Sequence, residues 1–367
     1  MYALELGGED DQFAAAEAAS AATGVEVVAP GLATATAITD RVRTLAYTHR
    51  ASEVVGRTDA TLASARALLD AAGIDREGTV AVRARDVRET ADIDTQRVER
   101  ELGSVLTDRG FAVDLDDPDH ELRALFSEAR SASEGSSDEP RDDTCLLGWL
   151  AAESVRDFGT RKPTDRPFFQ PGGMDPLLAR ALVNLAGARP GATVLDPMCG
   201  TGGVLIEAGL VGAEVLGADA QRKMARGAAE NLAHYLGGER ADSGTIDGRA
   251  AGDWATLLGD ATHLPFPDGS VDAVVFDAPY GRQSKIANLE LDDLVAGALA
   301  EARRVADRAV VVGDRSWADA ARDAGWAVED EFERRVHRSL VRHVVVLSDD
   351  ATPGDPDSFD AERGASE

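Results

Sequence analysis

The C-terminal half of the chain alternates short apolar runs with longer amphipathic segments. Runs such as "TVLD", "EVLGAD" and "AVVVGD" contain β-branched residues and end in Asp, which is typical of buried strands. Segments such as "QRKMARGAAENLAHYL" and "LDDLVAGALAEARRVA" carry apolar residues at helical spacing. This alternation predicts an α/β fold with a mostly parallel, doubly wound sheet. The final runs, "WAVEDEFERRVHR" and "RHVVVLS", predict an antiparallel hairpin at its end.

The N-terminal half follows a different pattern, with helices expected over 11–23 and 58–72 and strands at "TVAVRARDV" and "FAVDL". This mixture predicts small α+β units. Two segments are polar and nearly free of large apolar residues, and we expect both to be disordered. The predicted organisation is an N-terminal segment 1–50, a domain 51–160 with a disordered loop 127–144, a proline- and glycine-rich linker 161–176, a domain 177–348, and a disordered acidic tail 349–367.

Charge changes the picture of the surface. The chain has 66 acidic and 38 basic residues, a formal net charge of −28, and only Lys162, Lys223 and Lys285 are lysines. This composition predicts a halophilic protein, because a Debye length of about 3 Å in 1 M salt screens self-repulsion. The same screening means that net charge does not exclude a nucleic-acid partner.

Several classes of protein are not expected. No apolar run is long enough to span a bilayer, and the acidic N-terminus is unlike a secretory signal. Two cysteines, Cys145 and Cys199, are too few for a disulfide framework, and the six histidines show no metal-ligand spacing. We therefore expect a cytoplasmic protein with no membrane segment and no metal.

A glycine-rich turn follows the first strand of the C-terminal half, in "LDPMCGTGG". Asp196 ends the strand, and Gly200 and Gly202 let the backbone approach a ligand at the start of the next helix. A dinucleotide-binding fingerprint would need a third glycine where Leu205 stands. Simple helix–strand packing is the alternative explanation.

Two further carboxylates follow strands in the same half. Asp219 ends the next strand, where it can accept hydrogen bonds from ribose hydroxyls, and Asp260 follows "LLG", where it can meet an adenine amino group. S-adenosylmethionine carries a sulfonium and an ammonium and no phosphate. An acidic site therefore favours S-adenosylmethionine over a dinucleotide.

The stretch "VVFDAPYG" ends a hydrophobic strand on Asp277. Asp277 and the carbonyl of Ala278 can accept both N–H bonds of an exocyclic amino group and aim its lone pair at a methyl group. Pro279 stiffens the turn, and Tyr280 can stack on the base. The alternative is a turn with a helix-capping aspartate.

Five stretches together resemble the archaeal and eukaryotic family that methylates N2 of guanine at position ten of tRNA. The resemblance implies a Rossmann-like class I methyltransferase domain, preceded by a ferredoxin-like segment and a THUMP RNA-binding domain, with tRNA as partner. Ala278 stands where the family has proline, and Val341 replaces the threonine of its S-L-T-R motif. The stretches are "RPFFQPGGMDPLLARALVNLAG", "LDPMCGTGGVLIEAGLVG", "GDATHLPF", "DAPYGRQS" and "HRSLVR".

The resemblance implies RNA-binding candidates at Arg83 and Arg85, which alternate along one strand, and at Arg282 and Ser339 in the shared motifs. In so acidic a chain, arginines also pair with carboxylates. Similar D-P-P-Y motifs occur in DNA-amino and protein-glutamine methyltransferases, and an inactive tRNA-binding protein is a further alternative. The number of methyl groups added and the need for a partner subunit stay open.

Overall fold

A computed structural model describes residues 1–128, 143–237, 251–280, 288–337 and 340–349. The chain forms two compact units, one ending at Ser154 and the other beginning at Val155. Most of the predicted loop 127–144 and nearly all of the predicted tail lie outside the described residues, as do Arg282 and Ser339.

The N-terminal unit is built on an eight-stranded sheet of order β3-β4-β1-β6-β10-β9-β7-β8. Strand β7 runs parallel to both of its neighbours, the other described pairs are antiparallel, and β2 pairs with β5 apart from the main sheet. The strands are β1 (Tyr2–Leu6), β2 (Ala22–Thr23), β3 (Glu26–Ala29), β4 (Leu32–Ala35), β5 (Ala37–Ile38), β6 (Thr48–Thr58), β7 (Thr79–Asp86), β8 (Ala112–Val113), β9 (His120–Ser127) and β10 (Thr144–Glu153). The helices are α1 (Asp11–Ala19), α2 (Leu62–Ala71) and α3 (Thr95–Asp108).

Both predicted N-terminal helices are shorter in the structure. Helix α1 ends at Ala19, because the following residues turn into β2, and α2 begins after Thr61, whose hydroxyl accepts a hydrogen bond from the Ser64 amide at 3.2 Å. Residues 48–58 form β6, which pairs with β1 on one side and β10 on the other. The predicted boundary at residue 50 therefore falls inside a central strand.

The C-terminal unit has a seven-stranded sheet of order β13-β12-β11-β14-β15-β17-β16. The first five strands in that order are parallel, and β17 is antiparallel to both neighbours, which confirms the predicted doubly wound sheet and its terminal hairpin. The strands are β11 (Thr193–Asp196), β12 (Glu214–Asp219), β13 (Trp254–Leu258), β14 (Ala273–Asp277), β15 (Arg308–Gly313), β16 (Ala327–His337) and β17 (Leu340–Ser348). The helices are α4 (Pro176–Leu185), α5 (Gly203–Leu210), α6 (Arg222–Leu236), α7 (Asn288–Val305) and α8 (Ala318–Asp323).

The strand order reverses between β11 and β14. From β11 the chain adds β12 and β13 on one side of the sheet, and β14 and β15 then lie on the other side. Both strands are buried at the centre of the sheet, as the complete burial of Leu195, Val274 and Phe276 shows. Ligands of open α/β sheets bind outside the carboxyl ends of the strands at such a reversal. The topology therefore points to the ends of β11 and β14 as the functional edge.

The residues predicted as a linker are part of the second unit. They include the last residue of a 3₁₀ turn at Phe158–Arg161 and a second 3₁₀ turn at Pro163–Asp165, and Arg161 and Arg166 are buried. Asp175 caps α4 by accepting a hydrogen bond from the Leu177 amide at 2.9 Å. In the part of the chain that the structure describes, no helix combines the length and apolar character needed to cross a membrane.

Candidate functional site

Aspartates end three strands at the carboxyl edge of the C-terminal sheet. Asp196 ends β11, Asp219 ends β12 and Asp277 ends β14, while Asp260 lies two residues beyond β13. Burial raises the pKa of Asp196 well above its usual value, and the neighbouring charges of Asp219 and Asp277 raise it further. The three strand-end carboxyl groups are thus close enough for the charges of Asp219 and Asp277 to act on Asp196.

The predicted glycine turn connects β11 to α5 and needs left-handed backbone at two positions. Gly200 has φ +52° and Gly202 has φ +77°, a region that L-residues with a side chain rarely occupy. A methyl group on Gly202 would lie 3.3 Å from the Cβ of Ala228, so α6 packs closely here. Beside Gly200 the nearest atom to such a methyl is the Met198 oxygen at 4.0 Å, which leaves room for a ligand.

Asp219 ties the glycine turn to β12. Its Oδ2 accepts a hydrogen bond from the Gly200 amide at 3.0 Å, and its Oδ1 accepts one from the Gln221 amide at 2.8 Å. Burial raises the pKa of Asp219, while these two hydrogen bonds favour the carboxylate. Each oxygen keeps a second lone pair, which matches the predicted role of accepting ribose hydroxyls.

Asp260 lies in a different environment. Its side chain is 61% exposed, and its Oδ1 accepts hydrogen bonds from the Thr262 amide at 2.9 Å and the Thr262 hydroxyl at 2.8 Å. These hydrogen bonds lower the pKa of Asp260. The Asp260 side chain is therefore an exposed carboxylate. Its contact with an adenine amino group stays a prediction.

Asp277, Tyr280 and Arg342 form one hydrogen-bonded cluster. The Tyr280 hydroxyl donates to Asp277 Oδ1 at 2.6 Å and accepts from Arg342 Nε at 2.9 Å, while Arg342 Nη2 lies 3.4 Å from Asp277 Oδ2. Burial raises the pKa of Asp277 to about 6, although the Arg342 charge opposes this effect. The Asp277 side chain keeps 22% of its surface exposed, so it can still meet a ligand.

The turn after Asp277 is held against the next strand. The Ala278 amide donates to the Val312 carbonyl on β15 at 2.8 Å, and Ala278 is only 2% exposed. Pro279 and Tyr280 follow at half-buried positions. Alanine thus fits this position, and the structure shows how the turn is fixed without the family's first proline.

Arg342 was missed as a candidate by sequence reasoning, although the motif that contains it was noted. It lies near the start of β17, and because β17 is antiparallel, its first residues reach the carboxyl edge where Asp277 lies. Arg342 is 4% exposed. An arginine at the start of an antiparallel strand in a parallel sheet is the signal that could have indicated it.

The glycine turn is also held by a buried polar network. Glu207 on α5 accepts hydrogen bonds from Arg161 Nε at 2.8 Å and Arg180 Nη2 at 2.7 Å. Asn231 on α6 donates to the carbonyls of Phe168 and Thr201, both at 2.9 Å. These bonds join the segment before α4, the glycine turn and α6 into one support for the site.

The RNA-binding candidates Arg83 and Arg85 lie on β7 of the N-terminal unit, and each has an acidic neighbour. Arg85 Nη1 is 3.3 Å from Glu5 Oε2, and Arg83 Nε is 3.9 Å from Glu121 Oε2. Their side chains remain 43% and 36% exposed. The buried Arg123 holds the same Glu5 through two hydrogen bonds of 2.9 Å, so these arginines belong to an ion network on the sheet.

No group of three or more histidine, cysteine or acidic side chains is arranged to hold a metal ion within the described ranges. The carboxylates at the sheet edge instead accept hydrogen bonds from backbone amides, hydroxyls and Arg342.

Comparison with known proteins adds an independent line of evidence. Residues 163–343 match the UPF0020 family model, described as an RMKL-like methyltransferase domain. The chain is 35% identical over 312 residues to the tRNA (guanine(10)-N2)-dimethyltransferase of Methanothermobacter thermautotrophicus, covering 83% of each protein. It is 30% identical over 277 residues to the protein of the same name from Pyrococcus abyssi, covering 74% of each. Among solved structures, TrmN from Thermus thermophilus is similar at 23% identity and a TM-score of 0.47, covering 95% of this chain and 99% of that one.

Proposed function

The chain belongs to the tRNA (guanine(10)-N2)-dimethyltransferase family, and we propose that it methylates the exocyclic N2 amino group of a guanine in tRNA with S-adenosylmethionine. The observation that carries this proposal is the cluster of Asp277, Tyr280 and Arg342 at the end of β14, beside the strand-end carboxyls of β11 and β12. Position ten of the tRNA follows from the names of the relatives.

Asp277 and the Ala278 carbonyl act on the amino group. The nitrogen of an exocyclic amine is a poor nucleophile, because its lone pair is delocalised into the ring. Two acceptors that take its N–H bonds return electron density to the nitrogen and orient its lone pair. Asp277 is suited to this role because its side chain is partly exposed at the strand end, while Tyr280 and Arg342 fix its orientation.

Asp277 is a strong acceptor for the amine hydrogen, and can take its proton, only as the carboxylate. Its pKa of about 6 leaves it mostly as carboxylate at neutral pH, and the Arg342 charge opposes a further rise. As the N–C bond forms, the nitrogen loses a proton, which the Asp277 carboxylate can take and release to solvent. The Tyr280 ring is left to stack on the base while its hydroxyl is held by Asp277 and Arg342.

The residues at the sheet edge suit a cationic methyl donor. Asp219, whose carboxylate form is favoured by two backbone hydrogen bonds, provides negative charge beside the glycine turn, and the space next to Gly200 admits a ligand near the backbone. When bound, S-adenosylmethionine supplies an electrophilic methyl group, and its sulfur keeps the electron pair of the broken bond. Asp219 would hold the ribose hydroxyls, and Asp260 the adenine amino group.

The N-terminal unit is proposed to bind RNA, as a THUMP-containing region would. Arg83 and Arg85 project from one face of β7 and stay partly exposed. Replacing both with alanine should weaken tRNA binding and lower the slope of log affinity against log salt by about 2, because each arginine would neutralise about one phosphate. As a control, Arg66 and Arg322 also form exposed ion pairs, and the double alanine variant at those positions should leave the slope unchanged.

Mass spectrometry of nucleosides tests the reaction. Unmodified tRNA incubated with the protein and S-adenosylmethionine in molar salt should gain N2-methylguanosine, N2,N2-dimethylguanosine or both. The gain should disappear when guanine 10 of the tRNA is replaced by adenine. Methylation of DNA or of protein glutamine in place of tRNA, or tight tRNA binding with no methyl transfer, would favour one of the alternative functions and contradict the proposal.

A further inference from the structure

Asp314 is the first residue after β15, at the same edge of the sheet as Asp277. Asp277 on β14 pairs with Val312 on β15, and Asp314 follows Val312 by two residues. Paired residues of neighbouring strands, and residues two apart along one strand, share a face of the sheet. Asp314 therefore continues the face that carries Asp277, and it is exposed.

The neighbouring strand places Asp314 beside the cluster at the end of β14. Strand β15 lies between β14 and β17, and its last residue, Gly313, pairs with the residue that follows Arg342. The next step of this antiparallel register sets Asp314 opposite Arg342. The Arg342 guanidinium nevertheless contacts Asp277 and Tyr280, so it reaches past the end of β15 to β14. Asp314 thus adjoins the cluster without belonging to it.

The Asp314 carboxylate forms no ion pair with any residue that the structure describes. The adjacent Arg315 pairs with Asp292, and Arg342 is held by Asp277. Burial raises the pKa of Asp277, and the charge of Asp314 raises it further, so the two carboxylates act on each other. A carboxylate that opposes the ionisation of Asp277 and has no cation of its own is unfavourable unless a ligand uses it.

The turn that carries Asp314 is closely packed. Gly313 is buried, and a methyl group on it would lie 2.3 Å from Nε1 and 2.7 Å from Cδ1 of Trp317. Trp317 is itself buried in the same apolar core as Phe276 of β14. The backbone before Asp314 is therefore held against the core, which gives its carboxylate a defined place at the sheet edge.

Guanine has a donor that the proposed mechanism leaves without an acceptor. Its N1–H lies next to the 2-amino group on the Watson–Crick edge, and Asp277 and the Ala278 carbonyl accept only from the amino group. The methyl donor is proposed to lie beside the glycine turn after β11, and β15 is on the opposite side of β14. The rest of the base therefore extends toward β15 and Asp314. An N1–H that exchanged water for no acceptor would weaken binding.

We propose that Asp314 accepts the hydrogen bond of the guanine N1–H and thereby contributes to the selection of guanine. This inference rests on the proposed function, since it takes the same base as substrate. Adenine has a lone pair at N1, which the carboxylate would repel. A site that accepts a hydrogen bond from its substrate rejects analogues without that donor.

The test measures the coupling between Asp314 and the N1 hydrogen. Two tRNAs are compared by kcat/KM, one with guanine and one with 2-aminopurine at position ten; 2-aminopurine keeps the 2-amino group but has an acceptor at N1 and no oxygen at C6. We expect the native protein to prefer guanine by at least about 10- to 100-fold, as for a hydrogen bond to a charged group. Asp314→Ala should slow methylation of guanine far more than that of 2-aminopurine. Asp314→Asn should reduce the preference about tenfold or more, because an amide can accept from one base and donate to the other.

The loss of the C6 oxygen is common to every variant, so only the change in preference reports on Asp314. A matched control, Asp319→Asn, alters an exposed carboxylate of α8 that pairs with Arg322, and it should keep the native preference. If both Asp314 variants keep that preference, or slow both bases equally, Asp314 does not contact N1. A native protein that methylates both bases at equal rates would also overturn the inference. A native protein that methylates neither base would show that the proposed function itself is wrong.

Discussion

Replacing Arg342 with methionine should move the pH dependence of methyl transfer upward. Asp277 is a strong acceptor, and can take the proton, only when ionised, so the rate should rise as pH increases through its pKa, which is about 6 in the native protein. The positive charge of Arg342, whose Nη2 lies 3.4 Å from Asp277 Oδ2, favours the ionised form of Asp277. Methionine retains an apolar chain of similar reach but removes the charge.

The size of the shift follows from this distance. Two unit charges 3.4 Å apart interact by about 1 kcal/mol at the dielectric constant of water and by about 5 kcal/mol at an effective value of about 20. Since about 1.4 kcal/mol corresponds to one pH unit, the midpoint should rise by about 1 to 3.5 pH units. Salt should change this little, because a pair in which Arg342 is 4% exposed is only weakly screened.

Single-turnover methyl transfer to tRNA, measured across a pH series at constant salt, reports the midpoint. Arg342→Met should regain much of its rate at high pH, and Arg342→Lys should keep a midpoint near that of the native protein because it keeps the charge. Arg308→Met, a change at an ion pair elsewhere in the sheet, should not move the midpoint. A lower plateau with an unchanged midpoint in Arg342→Met would show that Arg342 acts only through packing.

Three further changes test the support of the site. Asp219→Ala should weaken S-adenosylhomocysteine binding by about 10- to 100-fold in calorimetric titration, because a charged acceptor is lost, whereas Asp268→Ala, at an exposed carboxylate, should not. Glu207→Gln should lower the free energy of unfolding by about 3–5 kcal/mol, since it removes the buried negative charge that Arg161 and Arg180 share, while Glu329→Gln, at a more exposed pair, should cost less than about 1 kcal/mol; equal losses in denaturant titration would contradict this. Gly202→Ala should cost about 1–2 kcal/mol in the same titration, because φ is positive there; an unchanged stability would show that the turn adapts.

The acidic strand ends could be predicted because they depend on local pattern. A run of β-branched residues that stops at Asp196 or Asp219 indicates a strand end, and the βα alternation places those ends on one edge. The glycine turn could be predicted for the same reason. The turn needs positive φ at Gly200 and Gly202, and the glycines that allow it stand at those positions in the sequence itself.

Arg342 could not be placed from local pattern. Its partners are 62 and 65 residues earlier in the chain, and its contact with them depends on the antiparallel direction of β17. Glu207 and Arg166 were hidden for another reason, since charged residues in a very acidic chain are first taken as surface. Their burial depends on how α4, α5 and the preceding turns pack together.

The strand β6 was missed because "THRASEVVGRT" shows no regular alternation of apolar and polar residues. It is nevertheless central, and strands on both sides supply its hydrogen bonds. Tertiary pairing here overrides a weak local signal. The predicted division at residue 50 followed from that missing strand.

The role of Asp277 as acceptor for the guanine amino group is tested most directly by Asp277→Asn. Asparagine keeps the shape, but it accepts hydrogen bonds more weakly and can present a donor to the nucleophile. The measurement is the single-turnover rate of N2-methylguanosine formation at saturating tRNA and S-adenosylmethionine, at a pH above 7. We expect the rate to fall by about 10²–10³-fold while the affinities for tRNA and S-adenosylhomocysteine stay near those of the native protein. A rate equal to that of the native protein would contradict the account, because the carboxylate at the end of β14 would then have only a structural role.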